Sequence, residues 1–106
     1  MATANKILGQ SKPAAATPTT LYTAAAQANV NLFAANQDAV NPDTIRIAIT
    51  KSGDSLVASN YIAYDMNLAA AATLNLTGIA LAVGDFVTVY SLNGDVSFNA
   101  TGIEIS

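Results

Sequence analysis

The residues that could carry chemistry in this chain are seven carboxylates, one adjacent Lys–Ser pair and a set of aromatic side chains. Paired carboxylates catalyse glycoside hydrolysis, and clustered ones bind calcium. No group of acids here has EF-hand spacing, and most of them stand beside Gly, Pro or Ser, where an Asp side chain caps a turn. We therefore predict that Asp43, Asp54, Asp85 and Asp95 organise turns.

Nucleophilic catalysis has little support, because the chain contains neither histidine nor cysteine. The Ser and Thr hydroxyls thus have no imidazole base, and zinc–thiolate sites and disulfides are impossible. Lys51 and Ser52 could form a dyad, but neighbouring residues of a strand point to opposite faces. We predict that the protein is not an enzyme and that it holds no cofactor or metal.

The aromatic residues could form a sugar-stacking platform, although aromatics more often fill a β-sandwich core or anchor an interface. They are Tyr22, Tyr61, Tyr64, Tyr90, Phe33, Phe86 and Phe98. Tyr61 and Tyr64 differ by three positions, so on one regular strand they would face opposite ways. We predict that at least one of these two lies outside the main core and contacts a partner.

The overall composition predicts a surface that is largely small and neutral, or that is covered by a partner. Of 106 residues, 52% are hydrophobic and 10% are charged, with a net charge of −3. Four scattered cations cannot form the basic stripe needed for nucleic acid or a polybasic membrane patch. The apolar stretch 62–83 is interrupted by polar residues, and the N-terminus lacks the apolar segment of a secretory signal. We expect neither nucleic acid nor membrane as a partner.

Short segments in which residue type alternates with a period of two predict strands between residues 21 and 105. The clearest are 44–51 and 86–90, and weaker ones are 21–23, 29–35, 61–66, 74–76, 96–99 and 102–105. We interpret Ala69–Ala72 as a connection and Asn93–Gly94 as a type I′ hairpin turn. Residues 1–20 contain Pro13 and Pro18 and few large apolar groups. We predict an extended N-terminal arm, 1–20, and a single antiparallel β-sandwich domain, 21–106, Ig-like or jelly-roll-like.

An ordered set of short motifs runs along nearly the whole chain. It comprises Lys6-Ile7-Leu8-Gly9-Gln10, Thr20-Leu21-Tyr22-Thr23, Ile45-Arg46-Ile47-Ala48-Ile49, Tyr61-Ile62-Ala63-Tyr64-Asp65, Gly84-Asp85, Val87, Val89-Tyr90, Ser97-Phe98-Asn99 and Gly102-Ile103-Glu104-Ile105. In this order the motifs resemble a family of small virion structural proteins of tailed bacteriophages, including cyanophages and other marine phages. The resemblance implies a virion component, assembled in the host cytoplasm.

Within that family we predict a capsid decoration, or cement, protein that binds the major capsid protein or other virion proteins. It would act in many copies or as a homo-oligomer, so that each contact can be weak. Two alternatives stay open: a tail, baseplate or fibre-associated virion protein, and a carbohydrate-binding adhesion module. The predicted contact residues are Ile7, Leu8 and Gln10 in the arm, together with Tyr64. Removing residues 1–12 should then leave a folded core that no longer binds particles.

Overall fold

Eight strands make up almost all of the regular structure in a computed structural model, which describes residues 3–105. A single-turn 3-10 helix, Ala58–Asn60, lies in the connection between β4 and β5. The strands are β1 (Thr3–Ser11), β2 (Thr19–Thr23), β3 (Gln27–Asn36), β4 (Asp43–Thr50), β5 (Tyr61–Leu68), β6 (Thr73–Leu81), β7 (Phe86–Ser91) and β8 (Val96–Ile105). Within residues 3–105, no helix has the length and apolar character needed to cross a membrane.

The strands form two four-stranded antiparallel sheets. Sheet A has the order β1-β8-β3-β6, and sheet B has the order β2-β7-β4-β5. Strands therefore pair first with last: β1 with β8, β2 with β7, β3 with β6, and β4 with β5. An eight-stranded double sheet with these pairings is a jelly roll. The predicted β-sandwich is confirmed, and the strand order favours the jelly-roll alternative over the Ig-like one.

The core lies between the two sheets, where alternate residues of the central strands meet. Val30 and Leu32 of β3 face inward from sheet A, and Ile45 and Ile47 of β4 face inward from sheet B. Phe98 of β8 is the largest fully buried side chain. This alternation is the one expected for sheets with one buried face, and it leaves the outer faces free to carry other residue types.

The segment predicted as an N-terminal arm is extended, and its described residues lie along the sandwich. Residues 3–11 form β1, the edge strand of sheet A, and pair with β8 from Thr3↔Ile105 to Ser11↔Phe98. The predicted boundary at residue 20 falls inside β2, which begins at Thr19. A segment with few large apolar residues can join a sheet in this way, because an edge strand is held by backbone hydrogen bonds and buries few side chains.

Two turn and strand predictions near the C-terminus are wrong. Asn93–Gly94 is not a hairpin turn, because β7 belongs to sheet B and β8 to sheet A. Gly94 alone has a positive φ there, 78°, whereas a type I′ turn needs positive φ at both residues. The two short strands predicted at 96–99 and 102–105 form one strand, β8, which continues through Gly102.

Candidate functional site

The outer face of sheet B carries a line of aromatic side chains around one arginine. Arg46 lies on β4 between the buried Ile45 and Ile47, so its side chain points away from the core. Its guanidinium carbon is 4.5 Å from the ring centre of Tyr64 on β5 and 4.6 Å from that of Tyr90 on β7. Both distances are within the range of a cation–π interaction.

Tyr61 extends this line along β5. The ring centres of Tyr61 and Tyr64 are 4.9 Å apart with an interplanar angle of 77°, an edge-to-face arrangement. We call Tyr61, Tyr64, Arg46 and Tyr90 the tyrosine–arginine row. The row crosses three neighbouring strands, β5, β4 and β7, so it is a feature of the assembled sheet.

The prediction that Tyr61 and Tyr64 face opposite ways is wrong, because β5 is not a regular strand. Between Ile45 and Ala48, β4 advances three residues while its β5 partners run from Met66 to Tyr61, five residues. The two extra residues are β-bulges, which re-aim side chains. Asp65, at one of them, has a left-handed φ of 49°. The bulges therefore bring two tyrosines with odd spacing onto the same face.

Asp65 neutralises the arginine of the row. Arg46 Nε donates a hydrogen bond to Asp65 Oδ1 at 2.6 Å. This hydrogen bond raises the pKa of Arg46 above its already high ordinary value, so the guanidinium stays charged. Because Asp65 pairs with Arg46, the surface formed by the row and Asp65 carries no net charge. It is nevertheless both aromatic and polar.

Apolar surface adjoins the row beside β5. Tyr64 is 59% exposed. Ile62 and Met66 on the same strand are also exposed but do not extend the row, because Met66 pairs with the inward-facing Ile45 and Ile62 lines a separate groove. A shallow hollow of about 370 Å³ lies beside Tyr61 and Tyr64, and its other lining residues come from the β4–β5 connection, Leu56, Val57 and Ala58. Contiguous exposed apolar surface of this kind marks interaction sites.

The predicted contact residues fall on two separate surfaces. Ile7, Leu8 and Gln10 lie on β1, at an edge of sheet A, whereas Tyr64 lies on β5, at the opposite edge of sheet B. Ile7 is 61% exposed, Leu8 packs against the core, and Gln10 Nε2 donates a hydrogen bond to Asn99 Oδ1 at 2.8 Å. The structure therefore does not unite the four residues into one site.

Sequence reasoning missed Arg46 and did not connect it with Tyr90. Both positions alternate with buried residues and are therefore outward-facing, which the period-two pattern does indicate. What the pattern lacks is the pairing Arg46↔Tyr90, which places the two side chains on adjacent strands. That pairing depends on β4 and β7 being neighbours, and 35 residues of chain, 51–85, separate them.

Two of the four acids predicted to organise turns, Asp43 and Asp85, accept hydrogen bonds there, whereas the carboxylates of Asp54 and Asp95 accept none among residues 3–105. Asp43 is buried and accepts hydrogen bonds from the Ser91 hydroxyl, 2.5 Å, and from the backbone N–H of Asn93, 3.0 Å. Burial raises the pKa of Asp43, but these hydrogen bonds outweigh it, and the net shift is downward. Asp85 accepts from the backbone N–H groups of Ser52 and Ala82. Among residues 3–105, no three metal-ligating side chains converge.

A larger open groove, about 720 Å³, lies at the start of β5 and is not part of the row. Its lining mixes apolar and polar side chains from β4, the β4–β5 connection and β6, among them Ile49, Thr50, Lys51, Asp54, Ile62 and Leu81. The carboxylate of Asp85, at its margin, is already used by two backbone N–H groups.

Comparisons with protein-family models, with curated proteins and with solved structures found no significant match. Function is therefore inferred from the chemistry of the sheet B surface and from the motif resemblance. A jelly roll by itself does not define a function, because the same fold supports capsid, lectin and enzyme domains.

Proposed function

We propose that this chain is a non-enzymatic virion structural protein of a tailed bacteriophage, a capsid decoration protein that binds and stabilises the head shell. The observation that carries the proposal is the tyrosine–arginine row, with Tyr64 exposed and Val57 exposed beside it. Tyrosine and arginine are enriched at protein interfaces. The resemblance to small phage virion proteins implies the kind of partner, the major capsid protein or another virion protein.

A docking protein can cover the row without leaving a buried charge unpaired. Burying an unpaired charge costs several kcal/mol, but Arg46 already has Asp65 at 2.6 Å. The tyrosines supply large apolar area with little conformational entropy to lose. Docking on this face therefore buries rings and one preformed ion pair, a low-cost combination.

Low surface charge also suits a protein that covers a lattice in many copies. Neighbouring copies with few charges repel each other little, and contacts made by many copies side by side gain avidity. In this proposal the protein works on the virion after assembly in the host cytoplasm, as a multi-copy component or homo-oligomer.

Immunogold labelling of intact virions with an antibody against this chain tests the proposal directly. We expect grains distributed over the head. Grains confined to the tail would replace the proposal with the tail, baseplate or fibre alternative. Particles that carry the protein nowhere would contradict both.

Substitution of Tyr64 tests whether the row is the contact surface. Binding of purified protein to particles stripped of it should weaken roughly 30-fold in Tyr64→Ala, the loss of about 2 kcal/mol typical of an interface anchor. Asn75→Ala is the matched control, because Asn75 is exposed on β6 of sheet A. Equal binding by both variants would remove the row from the interface.

A carbohydrate-binding module is the second candidate, because Tyr61, Tyr64 and Tyr90 lie on one face of the sheet. Sugar rings stack flat on aromatic faces, but Arg46 covers one face of both Tyr64 and Tyr90, and Tyr61 meets Tyr64 edge-on. Tyr61 and Tyr64 therefore do not form one flat platform. A glycan array distinguishes the candidates, since a decoration protein should give no signal that depends on Tyr64.

A further inference from the structure

β1 is the least buried strand of the sandwich. It pairs on one side only, with β8, and residues 3–7 are all exposed. Leu8, at the register shift between Ile7 and Gly9, is its one large side chain packed against the core. Little apolar surface would be uncovered if β1 left β8, so detachment costs mainly the hydrogen bonds to β8, which an identical incoming strand restores.

The position that β1 occupies is nevertheless specific for its sequence. A Cβ atom added to Gly9 would lie 2.2 Å from the carbonyl oxygen of Leu21, so only glycine fits where β1 approaches β2. Lys6 Nζ lies 2.6 Å from Glu104 Oε1, and the Tyr22 hydroxyl donates to Glu104 Oε2 at 2.5 Å. The slot therefore recognises a strand with a lysine and, three residues later, a glycine.

The connection from β1 to β2 is suited to two conformations. Residues 12–18 contain Pro13 and Pro18, and all of them except Pro13 are exposed. Proline favours an extended conformation in the residue before it, here Lys12 and Thr17. In the closed turn Ala16 instead adopts a left-handed φ of 54°, an unfavourable conformation for a residue with a Cβ. Extending the connection would relieve Ala16.

We propose that β8 is a docking site for the β1 strand of a second copy of this chain, so that copies exchange their N-terminal strands. The exchanged strand makes the same contacts with β8, Gly9 included, that the chain's own strand makes. Exchange therefore keeps the contacts between the strands. It gives up the hydrogen bond from the Ala16 N–H to the Ser91 carbonyl, so the connection 12–18 decides between the closed and exchanged forms. The occupant is a second copy because the slot fits the Lys6 and Gly9 positions of this sequence. The inference is independent of the proposed virion role.

Mixed cysteine variants test the exchange, and the absence of natural cysteines makes the background clean. Gln10 on β1 and Asn99 on β8 are paired residues whose side chains are 2.8 Å apart. Gln10→Cys protein is incubated with differently tagged Asn99→Cys protein until the yield is constant, and is then oxidised. We expect a disulfide between the two chains, in several-fold greater yield than from Gln10→Cys mixed with Asn75→Cys. A yield equal to this control would overturn the proposal.

A labelled peptide provides a second test on the unmodified protein. A peptide of residues 3–11 should bind the full-length chain by replacing its own β1. The matched peptide with Gly9→Val should not bind, because its side chain meets the Leu21 carbonyl. Equal binding of the two peptides, or binding of neither, would contradict a sequence-specific slot.

Discussion

Thr50 has a buried hydroxyl without a hydrogen-bond partner, the one such side-chain atom among residues 3–105. The residue is 2% exposed and lies at the end of β4, beside the large groove. A buried polar group without a partner costs about 1–3 kcal/mol. Thr50 is therefore a position where the native side chain lowers stability.

Replacing this hydroxyl with a methyl group should stabilise the protein. We expect Thr50→Val to raise the free energy of unfolding by about 1 kcal/mol, measured by urea denaturation. Thr88→Val is the control, because Thr88 is only half-buried on β7. A lower stability in Thr50→Val would mean that the hydroxyl has a partner, such as a bound water in the groove.

Ionisation of the Tyr22 phenol makes the stability of the fold depend on pH in the alkaline range. Its burial, and then its hydrogen bond to Glu104, raise the pKa of Tyr22 from 10.0 to about 12. The neutral phenol is thus favoured in the folded state, and its contribution is complete below pH 10 and lost as the pH rises through about 12. The wild type should lose stability over this range relative to Tyr22→Phe. The other three tyrosines are common to both proteins, so parallel pH profiles would contradict the assignment.

At the scale of elements, the strands were predictable where one face is continuously buried. β4 and β7 lie at the predicted segments 44–51 and 86–90. Burial alternates throughout β7 and, in β4, from Asp43 to Ile47. β1 gave a weaker signal, because an edge strand buries few residues and shows little alternation. The outward position of both Tyr61 and Tyr64 was not predictable, since it depends on bulges for which Asp65 gives no recognisable signal.

The close approach of β1 and β2 gives a prediction about one element. Gly9→Ala should push β1 away from Leu21 and loosen its pairing with β8, because the added Cβ would meet the Leu21 carbonyl oxygen. Hydrogen exchange in residues 3–11 should then become faster while the core strands stay protected. Gln10→Ala, which removes only the hydrogen bond to Asn99, is the control. Unchanged hydrogen exchange in Gly9→Ala would show that β1 can move away from β2 without weakening its pairing with β8.

At the scale of the whole molecule, the pairing of the first strand with the last makes β1 part of sheet A. Removing residues 1–12 takes away β1 and leaves β8 as a new, unprotected edge. We expect the truncated protein to be less stable and to self-associate, because an exposed edge pairs with other chains. Size-exclusion chromatography and urea denaturation measure both effects. A truncated monomer of full stability would show that residues 1–12 act as an independent arm, as the sequence analysis predicts.

The tyrosine–arginine row also allows binding to be followed by the intrinsic tyrosine fluorescence of the protein. The chain has no tryptophan, and three of its four tyrosines belong to the row. Intrinsic ultraviolet emission therefore comes mainly from the surface proposed to bind the particle. A partner that covers the outer face of sheet B will change the emission of these three tyrosines without any added dye, whereas a partner at β1 lies nearest to Tyr22, the one tyrosine outside the row.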